Sequence, residues 1–265
     1  MNFKILLKFG ILAFAGFHMA CGDFAYAHDP SMTNNRLYLG PQLAYLKRTR
    51  KGGTKQDGPL YGVRVGYDRL KRYGWYLGLE GSYSHGKIRG KTGADVKIHS
   101  RFTDMWAEAR GGYTFQRKHG CQAAFTPFLG AGYLTEKNNF VSPSPLHLHF
   151  KTKYPYALIG FLTSFNVNDS WNIGLMFRTF LPFDPRSIVS NDPKHDSVTQ
   201  NMGERLQYRV NIPITYKFVC YEKGSLTIEP FYEYRHYGTH VNFPFDYFKT
   251  ELQWWGILFK LDYDL

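Results

Sequence analysis

From about Arg36 to its last residue the chain follows one rule: in run after run, every second residue is apolar. The final run, WWGILFKLDYDL, places Trp255, Ile257, Phe259, Leu261, Tyr263 and Leu265 on one side and Lys260, Asp262 and Asp264 on the other. Successive side chains leave a strand on opposite faces, so this period of two defines a strand with one oily and one wet face. About ten such runs follow one another, among them LYLGPQLAYLK, LYGVRVGYDRL, WYLGLEGSYSH, MWAEARGGYTF, FTPFLGAGYLT and LQYRVNIPITYKF. Rings and glycines (20 Tyr, 22 Phe, 26 Gly) reinforce the strand reading, and helical periodicity is scarce.

Each run is about as long as a tilted membrane strand, which needs ~9–11 residues. The connections alternate in length. Short ones fall at 71–74, 117–120, 168–170 and 221–224, and long ones at 47–58, 86–97, 136–153, 182–203 and 238–250. Strict alternation with an even strand count puts both termini on the short-turn side, the periplasmic side of a membrane barrel. The fold class expected is all-β, an antiparallel up-and-down transmembrane β-barrel of ten strands, with eight and twelve as alternatives. Closure would leave no sheet edge unpaired in lipid.

A soluble barrel turned inside out would have the same period, so the facing must be decided by what the wet rows hold. Glycines gather there, as a narrow lumen demands, and rings cluster near strand ends, where a membrane barrel carries aromatic girdles. The wet rows also carry both charge signs: Arg64, Arg110, Arg178, Arg209, Arg235 and Lys260 against Glu80, Glu108, Glu229 and Glu233. Ions hidden along a barrel axis must pair with one another, because an unpaired buried charge is costly. These ten residues are therefore expected to form a lumen charge network.

Upstream, Met1 to Lys8 is short and basic, Phe9 to Ala20 is apolar, and Ala25-Tyr26-Ala27 offers a small-x-small cleavage site. Residues 1–27 read as a secretory signal, 28–35 as a short lead and 36–265 as the barrel. The apolar run is shorter than the ~20 residues a membrane helix needs. Cys21 is read as leaving with the signal.

Four stretches, EARGGYTF, FTPFLGAGY, YRVNIPITY and the terminal strand, together resemble the small outer-membrane β-barrel proteins of Gram-negative bacteria, the porin-like and opacity-type barrels. The resemblance covers about Arg36 to Leu265 and lies in pattern. It implies an outer-membrane location, contact with outer-membrane lipid and lipopolysaccharide, and a last strand read by the barrel-insertion machinery. Such chains usually end in Phe, and this one ends in Leu265. Prolines 41, 127, 155, 213 and 230 fall inside the runs, each forfeiting a ladder hydrogen bond, and lead us to expect bulges or strand rims there.

Ten strands enclose a bore only slightly wider than the eight-stranded case that side chains fill. Function is therefore expected in the connections. Lys47, Arg48, Arg50, Lys51 and Lys55 in the first, with Lys87, Arg89 and Lys91 in the second, form a cationic rim suited to lipopolysaccharide phosphates or host surface polyanions. The function expected is a structural, surface-interaction barrel. A narrow ion-conducting channel is the second reading and a rim hydrolase, using His195 beside Asp196, the third. Non-enzymatic function is expected, with no catalytic residue, cofactor or metal; His147 and His149 alone make too thin a ligand set. Nucleic acid is excluded as a partner, since no reader element is present. Cys121 and Cys220 are expected on strands five and eight, three positions apart around the wall, so an internal bridge is not expected, and intermolecular cross-linking and free thiols both stay open.

Overall fold

The computed structural model describes residues 34–265, apart from 71–73, 117–122, 146, 194, 196, 219–222 and 245. The leader and all three cysteines lie outside the described residues.

Seven strands run in order up and down the wall: β1 (Asn34–Arg50), β2 (Thr54–Leu70), β3 (Gly74–Lys91), β4 (Lys97–Gln116), β5 (Ala123–Val141), β6 (His149–Asn166) and β7 (Trp171–Pro182). A hairpin of β8 (Arg186–Ser190) and β9 (Ser197–Asn201) follows, and β8 extends the wall beside the outer end of β6. Next come β10 (Gln207–Asn211) and β11 (Ile214–Lys217), then β12 (Gly224–Tyr237) and β13 (Thr250–Asp264). β10 and β11 lie end to end between β7 and β12 and act as one wall strand. β1 pairs with β2 on one side and β13 on the other, so ten wall strands close an antiparallel barrel.

The oily rows face outward. Leu37, Leu39, Leu43 and Tyr45 on β1, Tyr61, Val63 and Val65 on β2, and Trp255, Ile257 and Leu261 on β13 are all exposed, while Arg64, Glu80, Arg110 and Arg178 between such rows are buried. Two belts of rings border the apolar zone. At the short-turn end Trp75 meets Tyr113 and Trp171 meets Tyr216; at the other end Tyr208 meets Tyr234, and Tyr232 meets Trp255, with centroids 5.0–5.9 Å apart. Rings at these two levels are what the two membrane–water interfaces favour.

Two expectations need correction. The long connections at 47–58 and 86–97 are largely strand: β1 and β2 are joined by 51–53 and β3 and β4 by 92–96. At ~3.3 Å per residue, strands of this length run to roughly 60 Å, so even when tilted they continue the wall well past an apolar band of about 25 Å. Three of the four prolines that stay within a strand make no bulge. Pairing runs unbroken along one neighbour of each, with Pro41 opposite Val63, Pro127 opposite Phe161, Pro155 opposite Tyr133 and Pro230 opposite Ile257, and opens at the proline on the other side; the offset there is unchanged across Pro41, Pro127 and Pro230, whereas across Pro155 it shifts by one residue between β7 and β8. In an antiparallel ladder a residue's N–H serves only one neighbour, so a proline can lose one bond and leave the rest of the register intact. Pro213 alone interrupts a strand, separating β10 from β11, and its carbonyl still accepts from the Gly174 N–H at 2.8 Å.

Inside, large rings lie across glycines of the neighbouring strand. Tyr38 stands opposite Gly66 and Tyr156 opposite Gly132. A Cβ at Gly66 would fall 2.3 Å from the Tyr38 ring, and one at Gly132 would fall 2.4 Å from the Tyr156 ring. The glycines of the wet rows are thus floors on which inward rings rest.

Candidate functional site

The structure brings the ten predicted lumen charges together. Arg64, Glu80, Glu108, Arg110, Arg178, Arg209, Glu229, Glu233, Arg235 and Lys260 are all buried. Inward positions are set by strand parity, and cross-strand register sets Glu80 opposite Glu108 on β3 and β4. Two adjacent carboxylates require cations between them, and three converge on Glu80: Arg64 at 3.2 Å, Arg110 at 3.2 Å and Arg178 at 3.1 Å. Arg178 also holds Glu108, and Glu229 bridges Arg64, at 3.4 Å, to Lys260.

A second cluster lies nearer the long-hairpin end. Arg235 reaches Glu233 and Asp104 at 2.5 Å each and Glu136 at 2.6 Å, while Arg209 meets Glu233 at 2.8 Å. Tyr237 donates to Glu136 at 2.7 Å and lies 3.0 Å, hydroxyl to hydroxyl, from Tyr154.

Between the clusters stands Trp106. The guanidiniums of Arg64 and Arg178 each lie 5.3 Å from its ring centroid, and that of Arg209 5.9 Å. Arg209 also lies 4.0 Å over Phe231, and Arg235 5.0 Å over Trp254. Cations packed on ring faces keep a favourable electrostatic contact where water is absent. The bore is thus filled by ions and rings together. Asp104, Trp106, Glu136 and Tyr237 were missed in the sequence: Glu136 lies in a strand extension that reads as connection, and Asp104 falls between the connection at 86–97 and the run that begins at Met105, although both share the parity of the inward rows.

The eight predicted rim cations divide. Lys47, Lys55, Lys87, Arg89 and Lys91 are exposed on the outside of the extended wall, and Lys51 is exposed in the turn between β1 and β2. Arg48 and Arg50 do not belong with them. Arg48 is buried and donates to Gln56 at 2.9 Å, and Arg50 is only partly exposed, 5.7 Å from the Tyr247 centroid and 5.5 Å from that of Phe248. Because 47–50 is strand and not loop, alternation turns 47 outward and 48 and 50 inward. Both lie beyond the apolar row of β1, which ends at Tyr45. There burial draws the Arg50 guanidinium below its ordinary range, and the like charge of Arg48 acts in the same direction.

Further cations occupy the same outer level. Lys87 on β3 stands directly opposite Arg101 on β4, and Lys137 on β5 opposite Lys151 on β6. All four are exposed, and none has a carboxylate within ion-pair distance among the described residues. Each lies four residues beyond the level of Tyr83, Met105, Tyr133 and Pro155 respectively. Along a tilted strand that is a rise of roughly 10 Å, the depth of a headgroup layer.

The remaining candidates stay apart. His147 and His149 are exposed, and no group of three or more metal-ligating side chains occurs among the described residues. The His195 N–H donates to Asp192 at 3.2 Å, and Asp196 lies outside the described residues.

No family model and no curated protein matches this chain. Solved structures do. The chain is similar to the outer membrane protease OmpT from Escherichia coli, with 9% identity, a TM-score of 0.51, and 90% of this chain and 99% of that one covered. The translocator domain of autotransporter NalP from Neisseria meningitidis gives 8% identity and a TM-score of 0.43 over 98% and 96% of the two chains. Ail of Yersinia pestis, solved with the heparin analogue sucrose octasulfate, gives 11% and 0.39 over 87% and 99%. The fold is that of the Gram-negative outer-membrane β-barrel proteins.

Proposed function

We propose that this protein is a closed outer-membrane barrel that binds phosphate-bearing glycolipid, lipopolysaccharide above all, and other surface polyanions through the outside of its extended wall. The observation that carries the reading is the opposition of like charges, Lys87 with Arg101 and Lys137 with Lys151, at headgroup depth. Directly opposed like charges weaken a sheet. An anion between them reverses the sign of that interaction, and each cation near an anionic surface contributes about 1 kcal/mol to the attraction. Lys47, Lys55, Arg89 and Lys91 extend the field toward β1, with Asp57 opposite Arg89 tempering it. In this orientation the short turns and both termini are periplasmic, the long hairpins face outward toward host surface molecules, and the last strand is the segment read by the insertion machinery.

The filled bore supports a non-conducting barrel over the channel reading. The test of lipid binding is salt-dependent. Diphosphorylated lipopolysaccharide should be retained by the membrane-extracted protein at low salt and released as salt rises. Changing Lys87, Arg101, Lys137 and Lys151 together to Gln should abolish that retention; equal retention by this variant would overturn the reading.

A further inference from the structure

Arg48 and Arg50 differ from every guanidinium deeper in the bore. Arg64, Arg110, Arg178, Arg209 and Arg235 each meet at least one carboxylate. Arg48 is bonded to the neutral amide of Gln56, Arg50 lies against two rings with its Nε unpartnered, and neither has a carboxylate within ion-pair distance among the described residues. Two cations drawn out of water side by side, without counter-charge, need an anion.

A second observation points the same way. Asn138, on β5, is 4% exposed, and neither its Nδ2 nor its Oδ1 has a partner. It shares with Arg48 and Arg50 a small recess at the long-hairpin mouth, with a cavity volume of about 20 Å³, also lined by the hydroxyl-bearing Thr152 and Ser187. One carboxylate lines it too, Glu136, but Arg235 at 2.6 Å and Tyr237 at 2.7 Å already engage it.

We propose that this recess is an oxyanion site, taking the phosphate, sulfate or carboxylate group of a solute or glycan end that enters the mouth. Arg48 and Arg50 donate to its oxygens, as guanidinium does to oxyanions generally, and Asn138 Nδ2 adds a neutral donor. Asn138 Oδ1 is left to accept from a hydroxyl on the ligand. The Phe150 and Tyr247 rings give the ligand's carrier an apolar wall. Beneath, the Arg235–Glu136–Tyr237 knot closes the recess, so an end group fits and a threaded polymer does not. The site is inward-facing and independent of the outer-wall cations.

The test is calorimetric titration of the membrane-extracted protein in zwitterionic detergent with inorganic phosphate, sulfate and acetate at constant ionic strength. At least one should bind saturably, one per chain. Arg50→Gln and Asn138→Leu should each weaken that binding roughly tenfold or more, the loss expected when one hydrogen bond to a charged group is removed. Lys87→Gln, on the outer wall, should leave it unchanged. Each variant's fold is checked by its migration before and after boiling. Failure of the parent protein to bind any of the three anions overturns the proposal, as does unchanged binding in whichever of the two inward variants folds. Because Lys87 takes part only in the lipid reading, loss of one activity without the other tells the two apart.

Discussion

Glu80 is the carboxylate on which the deeper cluster turns, and Glu80→Gln tests whether the bore is held together electrostatically. The substitution keeps the volume and removes the charge. Three guanidinium contacts at 3.1–3.2 Å lose their ionic character. At an effective dielectric of about 20, each such contact is worth roughly 5 kcal/mol of Coulomb energy before desolvation. Much of that sum offsets the penalty of burying Glu80 itself. Arg64 retains Glu229, Arg110 retains Asp68 and Glu108, and Arg178 retains Glu108. The net loss should therefore fall at about 3–5 kcal/mol, the range found when one member of a buried ionic cluster is removed. With a urea slope of ~3 kcal/mol/M, the unfolding midpoint in lipid vesicles should drop by roughly 1–1.7 M. The control is Glu251→Gln. Glu251 meets Lys249 at 2.7 Å outside the bore, with side chains 30% and 47% exposed, and a surface pair of that kind contributes less than about 1 kcal/mol. A Glu80→Gln midpoint indistinguishable from the parent's, or a Glu251→Gln shift as large, would refute the reasoning.

The bore should pass no steady ionic current in planar bilayers, whereas Trp106→Ala, which removes the ring beneath three guanidiniums, should produce discrete conductance steps; steady current through the parent protein would sink the closed reading. Gly132→Leu should displace the Tyr156 ring and lower stability by about 1–3 kcal/mol, read as a lower temperature for loss of the heat-shifted gel band. Pro127→Val should be neutral or slightly stabilising in the same assay, because the register around Pro127 is already continuous and the new N–H can join the ladder.

Much of this molecule is legible in its alternation, and the reason is geometric. A lipid-facing strand must keep every second residue apolar, so Leu37 to Tyr45 and Trp255 to Leu265 announce both strand and facing. The ten inward ions follow by parity alone. What parity does not carry is where a strand stops. Once the wall leaves lipid its outer face turns polar, as at Lys47, Lys55 and Lys87, and the local sequence then reads like a loop although the ladder continues. That single ambiguity put Arg48 and Arg50 on the wrong side of the wall and left Asp104, Glu136 and Asn138 unassigned. Which cation meets which carboxylate across the bore is also invisible, since Arg235 and Asp104 are 131 residues apart and meet only through closure.

The seam between β1 and β13 sets the order in which this molecule can be made. The strand that begins the wall finds its second neighbour in the strand that ends it, from Arg36 against Asp264 to Arg50 against Thr250. Until that zipper fastens, two raw edges stand open, and neither ion cluster can gather all its members. Assembly therefore culminates in a single closing event, and whatever guides this barrel into place must shelter both edges until its last strand arrives.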